Sequence, residues 1–367
     1  MREPAMRVLM TCDMVGGVWT YALELARALA AEGVEIVLAA MGDAIPQAAR
    51  REVARLSNVE LFVGPFALEW MPDPWRDVDI AGDWLLAIAA RTRPDLVHVN
   101  GYAHAALPFA APVISVAHSC VLTRHRAVHG CDAPPRWDEY RRRVARGLCA
   151  ADFVVGPTAA ILRDVLAAHR IDAPSRVIAN GRSGTEWRPG KKEPFVLAAG
   201  PLWDDAKGLT ELAACAPRVA WPICVAGSAA RPDGTAMSTA GLSYLGELEP
   251  CALAAWASRA SIYALPARYE PFGLSILDAA LSGCALVIGD IPSLREVWGN
   301  AATYVPPGDP DALAAAIGSL AEAPERRKLL AIAARTRALA FSPATMARRY
   351  RELYGELCAR DRKAVSA

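Results

Sequence analysis

Residues 180–194 read NGRSGTEWRPGKKEP, and the fold of the whole chain turns on them. The stretch is polar, with three glycines and two prolines, which is the composition of a connector rather than of a strand or helix. On its N-terminal side, short apolar runs at 7–12, 35–40, 59–63, 96–100, 113–117, 153–156 and 176–179 alternate with helical patterns such as 18–31 and 137–150. On its C-terminal side the alternation starts again, with runs at 195–199, 223–226, 242–245, 261–265, 285–288 and 302–305. Runs of this length separated by helical segments are the mark of βαβ units and a parallel sheet. The pattern occurs twice, so the expectation is an α/β chain of two Rossmann-like, doubly wound domains at 1–183 and 194–342. Helical segments at 310–323 and 343–359 follow, the latter opened by Ser342-Pro343.

Composition narrows the function classes. At roughly 150 residues per domain, 367 residues suit two domains. Forty Lys and Arg against 39 Asp and Glu leave a net charge of +1, so no global basic field exists to hold a nucleic-acid backbone. With 53% hydrophobic and 22% charged residues, the chain is not a disordered one. Nine cysteines are scattered from Cys12 to Cys358 without a C-x-x-C pair or a histidine spaced to complete a zinc site. A reduced, cytoplasmic protein without a metal is expected. The opening MREPAMRVLMTCD carries an acid and a proline before its apolar run, unlike a signal peptide, and no apolar run approaches the ~20 residues needed to cross a bilayer.

Two doubly wound domains set their strand ends on either side of a cleft, where ligands bind in open α/β sheets. Two loops carry the chemistry. Asp13-Met14-Val15-Gly16-Gly17-Val18 follows the first strand and opens a helix, and its paired glycines let backbone amides approach an anion. It lacks G-x-G-x-x-G, and no acid ends the second strand, so a dinucleotide cofactor loses its support. A tight βα turn without a ligand is an equal reading of this loop. The stronger stretch is 268–280, RYEPFGLSILDAA. Pro271 disfavours helix at Glu270, which places that acid in the loop while Gly273, Leu274 and Ser275 present unpaired amides at a helix start. Asp278 falls in the second turn, about 7 Å further along at ~1.5 Å per residue. Carboxylate, anion-binding helix end and second carboxylate match a sugar, a diphosphate and a ribose in a row, since carboxylates accept strong bonds from sugar hydroxyls. The alternative is a charged helix start with no ligand.

Further stretches complete a pattern: Asp95-Leu-Val-His98, Val116-Ala-His118, Ala151-Asp152-Phe-Val-Val, Ile178-Ala-Asn180-Gly181, Gly200-Pro-Leu with Lys207-Gly208, and Leu294-Arg-Glu296. In this order, with the two loops, the chain resembles the retaining GT-B glycosyltransferases of family four over nearly its whole length. The resemblance implies the GT-B architecture, two Rossmann-like domains facing an interdomain cleft, with 343–367 crossing back onto the first domain. It implies transfer of a hexosyl group from a UDP- or GDP-linked sugar to an acceptor hydroxyl, with retention, in glycan biosynthesis, with no metal and no cofactor beyond that co-substrate. The acceptor would be a carbohydrate, lipid-linked or small molecule. Glu270, Lys207 and His118 are the implied catalytic residues: Glu270 on the sugar hydroxyls, Lys207 on the diphosphate, His118 near sugar and acceptor. Gly273 to Ser275 would hold the diphosphate and Asp278 the ribose, with Phe272 and Arg268 completing the donor site. Gly16 and Gly17 would approach the donor phosphate from the other domain, and Leu245, Gly246 and Glu247 would meet the base. Cations and helix N-termini belong where a leaving diphosphate gains charge, so the roles agree with the physics.

Two departures stand out. Asp278 replaces the Glu usual in the family and is shorter by one bond of ~1.5 Å. Pro201 stands where many relatives carry an Arg, leaving Arg268, Arg182 or Arg295 to replace that cation. They keep two alternatives open: a weakened relative that binds nucleotide or a partner without transfer, and a GT-B nucleotide-sugar epimerase. His98 reads as packed against the sheet rather than catalytic. His125, His129 and Cys131 read as part of a flexible acceptor-side loop, and the loops 68–83 and 123–135 are expected to set acceptor specificity. The arginine-rich helix 137–148 is either a solvated face or a peripheral contact with anionic headgroups.

Overall fold

In the computed structural model, the structure describes residues 6–14, 16–42, 45–230, 235 and 237–365. The chain forms two compact units, one of Met1–His125, Asp132–Gly181 and Pro343–Ala367, the other of Arg126–Cys131 and Arg182–Ser342. Residues 178–192 hold no helix or strand.

The first unit alternates β1 (Met6–Asp13), α1 (Gly17–Leu29), β2 (Val34–Met41), α2 (Gln47–Val53), β3 (Val59–Gly64), α3 (Trp75–Thr92), β4 (Leu96–Val99) and β5 (Val113–Val116). It continues with α4 (Val121–His129), α5 (Asp138–Ala150), β6 (Phe153–Gly156), α6 (Ala159–His169) and β7 (Ser175–Val177). All pairings in the sheet are parallel, in the order β3-β2-β1-β4-β5-β6-β7. Parallel strands are covered on both faces and so read as nearly continuous apolar runs; Val8, Leu9, Met10 and Cys12 of β1 are all fully buried. The last helix, α13 (Pro343–Val365), packs here through Met346, Tyr350, Leu353, Tyr354 and Leu357, whose helical spacing turns one face onto α1.

The second unit runs β8 (Glu193–Ala199), α7 (Leu209–Cys215), β9 (Ile223–Ala226), β10 (Ser243–Tyr244), α8 (Pro250–Arg259), β11 (Ala260–Leu265) and α9 (Leu274–Leu281). Then come β12 (Ala285–Gly289), α10 (Pro292–Trp298), β13 (Thr303–Val305), α11 (Pro310–Glu322) and α12 (Pro324–Ala338). Its sheet is parallel in the order β10-β9-β8-β11-β12-β13. Val196, Val225, Ile262 and Val287 from four strands meet Leu313, Ile317 and Leu320 of α11 in its core.

Three readings need correction. The stretch 123–135, read as a flexible loop, is helical as far as His129, where α4 ends; only Leu122 of that helix is buried, so no apolar stripe announces it. The stretch 68–83 is a loop only as far as Pro74, after which α3 begins. The run at 242–245 shrinks to the two-residue edge strand β10, whose residues are exposed.

Candidate functional site

In each sheet the strand order reverses at one place, and the loops leaving the two strands there diverge to open a crevice, the usual ligand position in open α/β sheets. In the second unit the reversal lies between β8 and β11. Lys207 arrives from β8 on a short turn that Asp204 caps by accepting the Ala206 N–H at 3.0 Å. Glu270 arrives from β11. Its backbone carbonyl accepts from the Ser293 hydroxyl at 2.6 Å, and its flanking Tyr269 and Phe272 are buried, which fixes the loop. The Lys207 ammonium meets the Glu270 carboxylate at 2.7 Å, with side chains 19% and 13% exposed. Sequence reasoning named both residues; the sheet brings them together.

α9 begins directly beyond. Gly273 precedes it at φ +89°, and no side chain caps the helix. A Cβ there would come within 2.7 Å of Ile276 Cδ1, so glycine fits both the backbone and the space. The first-turn amides have no acceptor within their own helix, and the helix end carries a partial positive charge directly after the loop in which the Phe272 N–H donates to the Glu270 carboxylate at 3.4 Å. Ser275, in that turn, lies against the buried Tyr263 hydroxyl, which donates to the Ala199 carbonyl at 2.9 Å. One turn on, Asp278 accepts from Arg182 Nε at 2.7 Å, both side chains 13% exposed, and the Arg182 guanidinium lies over the Trp187 ring.

The three arginines considered as stand-ins for the cation missing at Pro201 thus have distinct partners. Arg182 holds Asp278, Arg268 holds the buried Glu211 at 2.5 Å, and Arg295 holds Asp290 on a more exposed surface. Arg182 is the one that joins a predicted donor residue. Leu245 and Gly246 are tied to β9 and its following loop, Leu245 N–H donating to the Val225 carbonyl and the Gly246 carbonyl accepting from Gly227, while Glu247 is exposed.

In the first unit the reversal lies between β1 and β4. Gly16 precedes α1 at φ +72° with no side-chain cap, and Gly17 is the first helical residue; both are exposed, and Val15 lies outside the described residues. Asn100 joins the two strands: its N–H donates to the Thr11 hydroxyl at 2.9 Å and its side-chain amide to the Thr11 carbonyl at 2.7 Å. The Asn100 side-chain oxygen accepts from His118 Nε2 at 2.8 Å, and Tyr21 packs edge-on to that imidazole at 4.4 Å. Burial holds His118 neutral, with its pKa lowered to about 3. His98 is fully buried and lowered to about 3, first by desolvation and then by the neighbouring His118; its Nδ1 lies 2.7 Å from the Tyr354 hydroxyl of α13. It anchors the last helix.

Two acidic markers of the sequence pattern are staples of the sheet. Asp95 accepts the Arg7 N–H at 2.8 Å and Asp152 the Val113 N–H at 2.7 Å, each joining the start of one strand to a neighbour. On α5, Arg141, Arg142 and Arg143 pair with Asp138, Glu139 and Asp79. Sequence reasoning singled out neither the Asp13 carboxyl nor Glu69, Trp70 and Asn100, which gather at the first reversal; they come from three different strand ends, and no spacing links them. Among the described residues no three His, Cys, Asp or Glu converge to hold a metal ion, and no helix is long and apolar enough to cross a membrane.

Comparison with known proteins bears on both halves. Residues 15–183 match Glycosyltransferase Family 4, and residues 193–323 match Glycosyl transferases group 1. The chain is 27% identical over 390 residues to glycogen synthase of Mycobacterium tuberculosis (strain ATCC 25618 / H37Rv), covering 90% of each protein. Sucrose-phosphate synthase from Thermosynechococcus elongatus superposes with a TM-score of 0.80 at 18% identity, over 96% of this chain and 99% of that one. Anabaena HepE, solved in complex with UDP-glucose, superposes with a TM-score of 0.74 at 16% identity, over 96% of this chain and all of that one (100%). With two doubly wound units, a sugar-transferase match on each and GT-B neighbours along nearly its full length, the chain belongs to the family-four type of GT-B glycosyltransferases.

Proposed function

We propose that this glycosyltransferase moves a hexosyl group from a UDP- or GDP-linked sugar to an acceptor hydroxyl, with retention of configuration and with no metal in the transfer step. The observation that carries this reading is the Lys207–Glu270 pair at the second reversal, beside the bare start of α9. The UDP-glucose complex of HepE supports a UDP-linked donor in particular.

Breaking the sugar–phosphate bond leaves an added negative charge on the diphosphate. The amides of Gly273, Leu274 and Ser275 and the Lys207 ammonium would take up that charge where it develops, from groups already held in place. Glu270, held by the Lys207 ammonium at one oxygen and by the Phe272 N–H at the other, would reach the sugar hydroxyls as well, and would position the ring rather than attack it. Asp278, held by Arg182, would accept from the ribose. The leaving phosphate would take the proton of the acceptor hydroxyl on the same face, which gives retention without an enzymic nucleophile. His118, neutral over the physiological range, would offer a hydrogen bond rather than a proton.

The test is transfer by the purified protein from UDP-glucose and from GDP-mannose to methyl β-D-glucoside, maltose and myo-inositol, read by proton NMR at the new anomeric centre. An α-linked product supports the reading. A β-linked product refutes retention, tight UDP binding without turnover supports the weakened relative, and epimerised sugar nucleotide formed without any acceptor supports the epimerase.

A further inference from the structure

We infer that the first unit carries, at the reversal between β1 and β4, an acceptor subsite that takes an uncharged hydroxyl edge, a hydroxymethyl group or a vicinal diol, between Asp13 and Glu69. The inference rests on the transferase reading above and names the chemistry of its second substrate. A cavity of about 50 Å³ lies there, lined by Thr11 and Asp13 from β1, Asn100 from the end of β4, Glu69 and Trp70 after β3, and His104. That is room for a hydroxyl-bearing edge and not for a whole sugar ring.

The polar groups are built in. Glu69 is fixed by two backbone donors, Oε1 accepting the Tyr102 N–H at 3.1 Å and Oε2 the Ala103 N–H at 2.8 Å. It lies against Gly101, where a Cβ would stand 3.4 Å from Oε1. The Trp70 side chain lies beside the Asp13 carboxyl and favours its charged form, while Asp13 Oδ1 is buried with no hydrogen-bond partner. A buried carboxylate oxygen left without a donor is costly, and such groups in folded proteins nearly always have a partner. A ligand donor at this position would supply one.

Three ligand chemistries compete for it. Phosphate offers chiefly acceptors and would meet two acids; among the described residues lining the cavity none is Lys or Arg, and the imidazole of His104, donating to the Val78 carbonyl at 2.9 Å, is kept neutral by burial. An ammonium group would satisfy the charge but can only donate. Burial raises Asp13 and Glu69 to about 7 each, with the charge of Glu69 a lesser cause at Asp13, so near neutral pH the pair offers both a carboxylic O–H and a carboxylate acceptor. A hydroxyl, which donates and accepts at once, matches that pair.

The Trp70 indole N–H is a reporter at the site. Its NMR signal, assigned with Trp70→Phe, is followed in the full chain during titration with methyl α-D-glucopyranoside and myo-inositol, then with ethylammonium chloride and inorganic phosphate. The expected result is that at least one polyol moves the signal and that Asp13→Asn and Glu69→Gln each weaken this binding about tenfold or more, the loss of one charged hydrogen bond. Glu69→Gln, with its carbonyl oxygen at the Oε2 position, keeps the acceptor for the Ala103 amide at 2.8 Å and a longer one for the Tyr102 amide at 3.4 Å, and carries the test if Asp13→Asn fails to fold. A signal unmoved by both polyols, moved by ethylammonium or phosphate instead, or moved by a polyol with unchanged affinity in the variants overturns the inference. UDP titrated into the same wild-type sample keeps the two claims apart: absence of UDP binding counts against the transferase reading, whatever the polyols do.

Discussion

The Lys207 ammonium lies 2.7 Å from the Glu270 carboxylate, on loops that leave neighbouring strands in opposite directions. The pair is mostly shielded from water, so its charge-assisted bond counts. Lys207→Ala leaves the Glu270 carboxylate with the longer bond from the Phe272 N–H, at 3.4 Å, and should cost about 1–3 kcal/mol of stability. Glu270→Gln should cost less, and the double variant should cost less than the sum by about 0.5–3 kcal/mol. Turnover should fall roughly tenfold to a hundredfold in either single variant and stay low in the double. Urea unfolding beside a UDP-release assay checks both; recovery of turnover in the double variant would make the pair structural only.

Asp278 and Lys207 should divide the nucleotide between them. Asp278→Asn is expected to weaken uridine and UDP alike, by about tenfold for a charged hydrogen bond. Lys207→Ala should weaken UDP and leave uridine unchanged. Calorimetric titration of the two ligands into each variant checks this, and a loss of uridine binding in Lys207→Ala would contradict the assignment.

The two helix-start glycines should differ in their response. Gly16 sits at φ +72° and ψ −145°, backbone that essentially only glycine adopts, with open space around its absent Cβ, so Gly16→Ala carries the backbone cost alone, about 1–3 kcal/mol. Gly273→Ala carries a similar backbone cost and also presses on Ile276 Cδ1, the far end of a flexible side chain. It should lower the thermal midpoint further and raise the KM for the donor by tilting the start of α9. Equal midpoints for the two variants would show that Ile276 yields freely.

How much of this was written in the sequence depended on how local the signal was. β1 and β11 announced themselves as apolar runs because parallel strands are buried on both faces, and Pro271 with Gly273 marked the start of α9 by backbone constraint alone. α4 left no trace because its single buried residue, Leu122, makes no stripe, and β10 is an exposed edge of two residues. Lys207 and Glu270 were named through the family pattern, while their contact across 63 residues follows from strand order, which no local pattern encodes. Asp13 opens the Gly16-Gly17 loop and Glu69 lies in the loop 68–83, but nothing in either stretch marks its carboxyl, which only the cavity at the first reversal makes notable.

Burial of Asp13 makes a pH prediction with a definite sign. Its folded pKa of about 7 lies above the ordinary 3.8, so between pH 4 and 7 the folded protein keeps a proton that the unfolded chain has released. Stability from this group therefore falls as pH rises through that window. Asp13→Asn removes the term, and the variant should gain on the wild type from pH 4.5 to 7.5, by on the order of 2–4 kcal/mol. His98 and His118, lowered to about 3, act oppositely, losing stability as pH falls below 6.5, but they are present in both proteins and cancel in the difference. Urea unfolding at the two pH values checks it, and a difference that is flat or reversed would show that Asp13 is ionised throughout.

The central claim is that the start of α9 and Lys207 hold a sugar-linked diphosphate, and a crystal structure of the protein with UDP tests it most directly. The account predicts phosphate oxygens at ~2.9 Å from the amides of Leu274 and Ser275 and from the Lys207 ammonium, with the ribose on Asp278. UDP bound with its phosphates away from that helix start and from the Lys207 ammonium would contradict it.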